Sequence, residues 1–202
     1  YMKVLLLSTY DTRGGAAKAA YRLHNGLKSM GTDSQMLVQV KFSNDEDVIA
    51  TGSKIVQKYP KLKPRLDSFP KLFFKSTDKT ERGAFSLQWL PNSIESRIVE
   101  LEPDIINLHW ISGGFTNIKT IAKLKKPIVW TLHDMWAFTG GCHYSQECDN
   151  YKESCGNCPQ IQSKYNVDLS SWVWQRKAKS WAKVNGTIVA LCNWMGKCAA
   201  SS

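Results

Sequence analysis

No apolar run in this 202-residue sequence approaches the ~20 residues that a helix needs to cross a bilayer. The opening Tyr1-Met2-Lys3-Val4-Leu5-Leu6-Leu7 is too short an apolar stretch for a signal peptide, and no small-residue cleavage site follows it. Also missing are GxGxxG, a Walker A loop, HExxH, a Ser-His-Asp elbow and any strong general acid/base pair. The common dinucleotide, ATPase, metalloprotease and serine-hydrolase signatures are therefore absent. There is no internal repeat and no low-complexity tract, which argues against a solenoid and against a disordered linker.

What remains is ordinary in composition, with 43% hydrophobic and 22% charged residues. At about 100–200 residues per domain, the length predicts one domain over residues 1–202. Such a chain can bury a full core without disulfide staples. We read it as cytoplasmic, where six cysteines stay reduced unless they bind metal or react.

Acidic residues are scarce, 17 against 27 basic ones, and the net charge is +10. The excess is concentrated. Residues 54–82 hold Lys54, Lys58, Lys61, Lys63, Arg65, Lys71, Lys75, Lys79 and Arg82 against Asp67, Asp78 and Glu81, a net +6. A patch of this kind favours phosphate-rich partners, and a solvated surface is its default. Tyr59, Phe69, Phe73 and Phe74 interleave with the lysines, as in an interfacial segment, although Pro60, Pro64 and Pro70 oppose one long amphipathic helix.

Lys3–Ser8 is a short apolar run and predicts a buried strand of a parallel sheet. A loop, Asp11-Thr12-Arg13-Gly14-Gly15, leads into a helix over Ala16–Met30, with Ala20, Leu23 and Leu27 on one face and Gly31 as its terminal cap. Ser34–Val40 is a second strand. This opening predicts an α/β fold, a Rossmann-like parallel sheet with helices on both faces. Residues 41–92 carry a weaker pattern, with a short helix at Lys54–Tyr59. Beyond them come a helix at Ile94–Leu101, a strand at Ile105–His109, a helix at Thr116–Lys125 and a strand at Ile128–Leu132. Residues 141–160 form a cysteine-rich insertion. Ser171–Lys183 is a helix, Thr187–Leu191 a strand, and Asn193 a cap for a last short helix. Cys192 and Cys198 fall on regular elements and read as small core residues.

Ligands of open α/β sheets bind beyond the carboxyl ends of the strands. Three places qualify. At Arg13-Gly14-Gly15 the glycines permit close backbone approach and the following helix presents its N-terminal amides, an anion site by geometry. A plain strand-to-helix turn explains the same spacing. His109-Trp110 and His133-Asp134 end two further strands. A histidine there can hydrogen-bond a substrate or move a proton near neutral pH. A lone histidine is more often structural, but two at equivalent strand ends, with a Gly-Gly loop at a third, favour a shared cleft. Cys142, Cys148, Cys155 and Cys158 follow as C-x5-C-x6-C-x2-C. Thiolates at this spacing suit a tetrahedral structural zinc, and His143 could replace one of them. Disulfides and free thiols are the alternatives.

These residues carry a resemblance. Lys3–Leu27 with its Gly14-Gly15 loop, Pro103–Trp110, Thr131–Trp136, the run from Gly140 through Pro159, and Val189–Trp194 together resemble the N-terminal domain of family-4 glycosyltransferases of the GT-B fold. The bacterial enzymes that build exopolysaccharide, colanic-acid-type and lipopolysaccharide chains are the most similar. The HD-M-W plus cysteine segment is the most specific part, and the match covers most of the chain outside residues 41–90. The resemblance implies a retaining, hexosyltransferase-type transfer from a nucleotide-sugar donor to a hydroxyl on a saccharide or lipid-linked acceptor, with no catalytic cofactor. It implies Arg13, Gly14 and Gly15 against the donor phosphates, His133 beside the donor sugar with Asp134 in the catalytic pair, and His109 towards the acceptor. It also implies a second, donor-binding domain carrying an E-x7-E glutamate pair, which this sequence does not contain. On that reading the chain is one half of an enzyme, inactive by itself, docked at the inner face of an anionic membrane and needing no nucleic acid. Two other classes compete: a zinc-knuckle module binding nucleic acid, and a stand-alone α/β nucleotide-binding domain.

Overall fold

A computed structural model of the chain describes residues 2–70, 84–182 and 184–202. Its strands are Lys3–Tyr10 (β1), Asp33–Val40 (β2), Val48–Ala50 (β3), Ile105–Leu108 (β4), Ile128–Leu132 (β5) and Gly186–Ala190 (β6). Its helices are Gly15–Ser29 (α1), Lys54–Lys58 (α2), Leu62–Ser68 (α3), Ile94–Leu101 (α4), Ile118–Lys123 (α5), Leu169–Trp181 (α6) and Asn193–Ala200 (α7). The strands form one sheet in the order β3-β2-β1-β4-β5-β6, and every neighbouring pair is parallel. This is the strand order of a doubly wound nucleotide-binding sheet, so the expected Rossmann-like α/β architecture is the one the chain adopts.

Alternation along the central strands builds two cores, because successive Cβ atoms of a strand point to opposite faces. From β1, Leu5 and Leu7 enter the larger core with Ile106, Leu108, Ile118 and Val173. Val4 and Leu6 enter the smaller one with Ala20, Met36, Val38 and Val48. With both faces covered, β1 reads as an unbroken apolar run. Helix α4 stops at Glu102, in the left-handed region at φ 45°, and Pro103 prevents its continuation.

Several sequence expectations change. The buried stripe of α1 is Ala17, Ala20 and His24, while Leu23 is 41% exposed. Ala20 and Leu27 do face the smaller core, so Leu23 alone departs from the expected face, and His24 takes its place. His24 tolerates burial because its Nδ1 pairs with Ser34 Oγ at 2.9 Å. Pro64 sits in the first turn of α3, where a missing N–H costs nothing, so it does not interrupt that segment. Cys192 is exposed rather than core, because it lies beyond the edge strand β6 at the N-cap of α7, and Asn193 is the first helical residue instead of the cap. Cys198 is half-buried against the larger core. The three-residue β3 was not anticipated at all.

Strand β6 is exposed at four of its five residues, with Ile188 51% and Val189 41% accessible, because it closes the sheet at an edge. Among the described residues no helix is long and apolar enough to cross a membrane. Lys71, Lys75, Lys79, Arg82, Phe73 and Phe74, which carry much of the expected basic interfacial segment, lie outside the described residues.

Candidate functional site

The carboxyl ends of β1, β4 and β5 converge as the topology requires. Thr9 N donates to Trp110 O at 2.7 Å and Thr9 Oγ1 to Ser112 O at 2.7 Å, which locks the carboxyl end of β1 to the loop after β4. A run of rings then joins the glycine loop to the histidines. The Arg13 guanidinium lies 3.9 Å over Phe42, Phe42 packs on Tyr10 at 5.9 Å between centroids, and Tyr10 stacks on Trp110 at 6.5 Å. Trp110 Nε1 donates to Asp134 Oδ2 at 2.8 Å. The three strand ends singled out by the sequence are therefore one connected surface.

Gly14 adopts φ 94°, a conformation costly for any side chain, and nothing lies within 4 Å of the position a Cβ would take. Its role is to turn the chain into the open N-terminus of α1, where no side chain caps the first amides. That leaves donors available to an anion. Asp11, immediately before this loop, is fully buried and its carboxylate accepts from the N–H groups of Thr12, Phe42 and Ser43. Burial alone would raise its pKa, but those backbone donors hold it below the usual carboxylate range. Asp11 thus fixes the glycine loop against the end of β2. A lone aspartate in a loop gave no sequence signal for this.

His109 and His133 meet: His109 Nδ1 lies 2.9 Å from His133 Nε2. They are not equivalent. His109 is 4% exposed, and its Nε2 is buried without a partner, beside a cavity of about 10 Å³. Burial, with His133 adjacent, pushes its pKa down to about 3. His133 is half-buried in front of it, and burial lowers its pKa too, against the opposing effect of Asp134. Both rings are neutral at pH 7. Buried orphan N–H groups are rarer than orphan acceptors. The favoured arrangement therefore has His109 Nδ1–H donating to His133 Nε2, which leaves the proton of His133 on Nδ1.

The hydrogen bonds of Asp134 go to other groups. Its Oδ2 lies 2.5 Å from His143 Nδ1, and its Oδ1 accepts from Trp136 N at 2.9 Å. Burial raises its pKa, but the partners His143, Trp136 and Trp110 outweigh that and hold it below the usual range. His143 Nε2 pairs with Ser86 Oγ at 3.0 Å. Both nitrogens of His143 are thus engaged, and it is not free to replace a cysteine. Asp134 and His143 fasten the strand-end loop to the start of the cysteine insertion.

In that insertion the four thiols are unpaired and line one cavity of about 20 Å³. Burial pushes Cys155 up to about 12 and Cys158 up to about 11. The backbone around them is held by Cys158 N to Asp168 Oδ2 (3.1 Å) and Gly156 N to Ser170 Oγ (2.9 Å), both from the capped start of α6. Gly156 has φ 112°, and a Cβ there would stand 2.2 Å from Asn166 O. Among the described residues, only His24, Asp45 and Asp47 bring three donor atoms within 4.8 Å of one another. Lys28 already pairs with both of those carboxylates, which offsets one of their two charges.

Lys177 of α6 also escaped sequence reading. It is 4% exposed, and its Nζ donates to Trp136 O and to Thr139 O (2.9 Å) while lying 3.7 Å over the Trp136 ring. Burial pushes its pKa down to about 7.

Neither a protein-family model nor a solved structure matches the chain. It is similar to the putative colanic acid biosynthesis glycosyl transferase WcaC of Escherichia coli (strain K12), with 25% identity over 173 residues. That match takes in 80% of this chain and 40% of the relative, so the chain spans less than half the length of the protein it resembles.

Proposed function

We propose that this chain is the acceptor-side half of a retaining, family-4, GT-B glycosyltransferase that moves a sugar from a nucleotide-sugar donor to a hydroxyl acceptor in surface-polysaccharide synthesis. The observation that carries the reading is His133 at the carboxyl end of β5, backed by buried His109 and level with the open N-terminus of α1. The similarity to a colanic-acid glycosyltransferase supports it. In this reading His133 Nδ1–H donates to the donor sugar, His109 orients that ring, and Arg13, Gly14 and Gly15 receive the donor phosphates. Asp134 holds the loop that carries His133 instead of acting on substrate.

The donor site would be completed by a further domain, so this chain alone transfers no sugar, because catalysis depends on holding both reactants in one geometry. The test is turnover of a panel of sugar nucleotides by the longer protein and by this chain, with DNA oligomers as the competing ligand. Sugar transfer by the longer protein alone supports the proposal. Robust turnover by the 202-residue chain sinks the two-domain part of it. Tight, steeply salt-dependent binding to DNA without sugar transfer would favour a nucleic-acid module.

A further inference from the structure

The cysteine insertion and the buried lysine of α6 raise one question between them. Four thiols with no disulfide line a single small cavity, and a lysine buried to 4% exposure holds Thr139 O, the residue whose own hydroxyl donates to Cys142 O. Among the described residues that lysine has no carboxylate within ion-pair distance. Buried cations are normally paired, and one without a counter-ion is expensive.

We propose that Cys142, Cys148, Cys155 and Cys158 hold one structural Zn²⁺ and that Lys177 is the buried counter-cation of the resulting anionic centre. Four thiolates on one divalent ion carry a net charge of −2, and Lys177 offsets part of it. Each thiol that ligates releases its proton to solvent. His143 takes no part, because Asp134 and Ser86 occupy both its nitrogens. With Zn–S bonds of about 2.3 Å, tetrahedral sulfurs stand roughly 3.8 Å apart. The thiols are not yet that close, since no three of them come within 4.8 Å of one another. The metal would draw them in across the ~20 Å³ cavity they already line. Backbone bonds from Ser170 and Asp168 anchor Gly156 and Cys158 from outside, so the contraction need not move the sheet.

The role of Lys177 gives the site a purpose. Its Nζ also holds the carbonyls of Trp136 and Thr139, in the loop directly after His133-Asp134. Metal, lysine and loop therefore form one rigid rim behind the proposed cleft. The assignment stands or falls separately from the glycosyltransferase reading, because its readout is metal content and not activity.

The experiment is elemental mass spectrometry on the purified chain, with a thiol count under native and denaturing conditions. Near one zinc per chain, with these four thiols protected until chelator and denaturant are added, is the expected result. No metal with four reactive thiols overturns the proposal, and so does no metal with two disulfides. The lysine is tested by competition with a chelator. Lys177→Met should weaken zinc binding by about 10–100-fold, as loss of an outer-shell partner does, while Lys177→Arg should restore most of it. If Lys177→Met binds zinc as tightly as the parent chain, the counter-cation role is wrong. Should Lys177→Met fail to fold, the Lys177→Arg chain decides: parent-like zinc affinity supports the role, and a loss as large as that expected for Met overturns it.

Discussion

The histidine pair and the cysteine insertion sit next to each other and are built in opposite ways. His133 is half open, and the one nitrogen behind it that lacks a partner belongs to His109. The cysteines of the insertion line one small cavity, with their backbone held from α6. A ligand-facing group needs unspent hydrogen-bonding capacity, whereas a structural knot uses all of it. The hydrogen bond between Asp134 Oδ2 and His143 Nδ1 joins the two.

The largest effect should come from cutting that joint. Asp134→Ala removes the acceptor shared by Trp110 Nε1, Trp136 N and His143 Nδ1, and each buried donor left unsatisfied costs about 1–3 kcal/mol. Both regions should loosen together, with hydrogen exchange rising at residues 134–136 and 141–158. If only one of the two segments loses protection, the joint is not what couples them. His133→Ala should separate the regions instead. On the proposed reading, turnover by the longer protein should fall by roughly 10²–10³ for loss of one transition-state hydrogen bond, while the melting temperature stays close to the parent. Unchanged kinetics in a folded variant would remove His133 from the site.

Acid should act first on the histidine side. His109 has its folded pKa lowered to about 3, beneath an unfolded value near 6.5. The unfolded chain therefore binds more protons across that window, and stability falls as pH drops from about 6.5 towards 3. The depressed Asp134 adds to the loss at the lower end. His109→Gln should flatten the upper part of the curve, and urea midpoints at a series of pH values measure it. A slope unchanged by that substitution would place the titration elsewhere. By the same logic, an acid limb of kcat/KM that belongs to His133 should lie below pH 6.5, because burial lowers its pKa.

The smallest effect concerns a region belonging to neither side. Charge reversal of Lys58 and Lys61, beside α2 and α3, should weaken binding to anionic liposomes by about 1 kcal/mol per residue and leave zinc content and turnover of soluble acceptors alone. Equal liposome binding would make the basic stretch a solvated face.

How much of this was legible follows from the range of the interactions. Strands β1 and β5 and helix α4 declare themselves through local runs and periodicity, and β5 and α4 fall on the residues the pattern predicts. The strand-end rule then finds His109, His133 and Gly14 without coordinates. What the sequence hides is pairing across long separations. Trp110 meets Asp134, Asp11 meets Phe42 and Ser43, and Lys177 meets Trp136 and Thr139 across some forty residues. A three-residue strand such as β3 has too short a pattern to register, and its place is set by β2 beside it. Cys192 misleads for the converse reason, since an apolar strand at a sheet edge reads like one at the centre.

Gly156 carries a consequence for anyone ranking positions by tolerance to substitution. At φ 112°, and with a Cβ position 2.2 Å from Asn166 O, it accepts no other residue without displacing backbone. A saturation scan of this chain should therefore score Gly156 as unforgiving as His133, although it offers no functional group to any ligand. Only a readout of folded abundance taken alongside activity would show that Gly156 is lost as architecture and, on the proposed reading, His133 as chemistry.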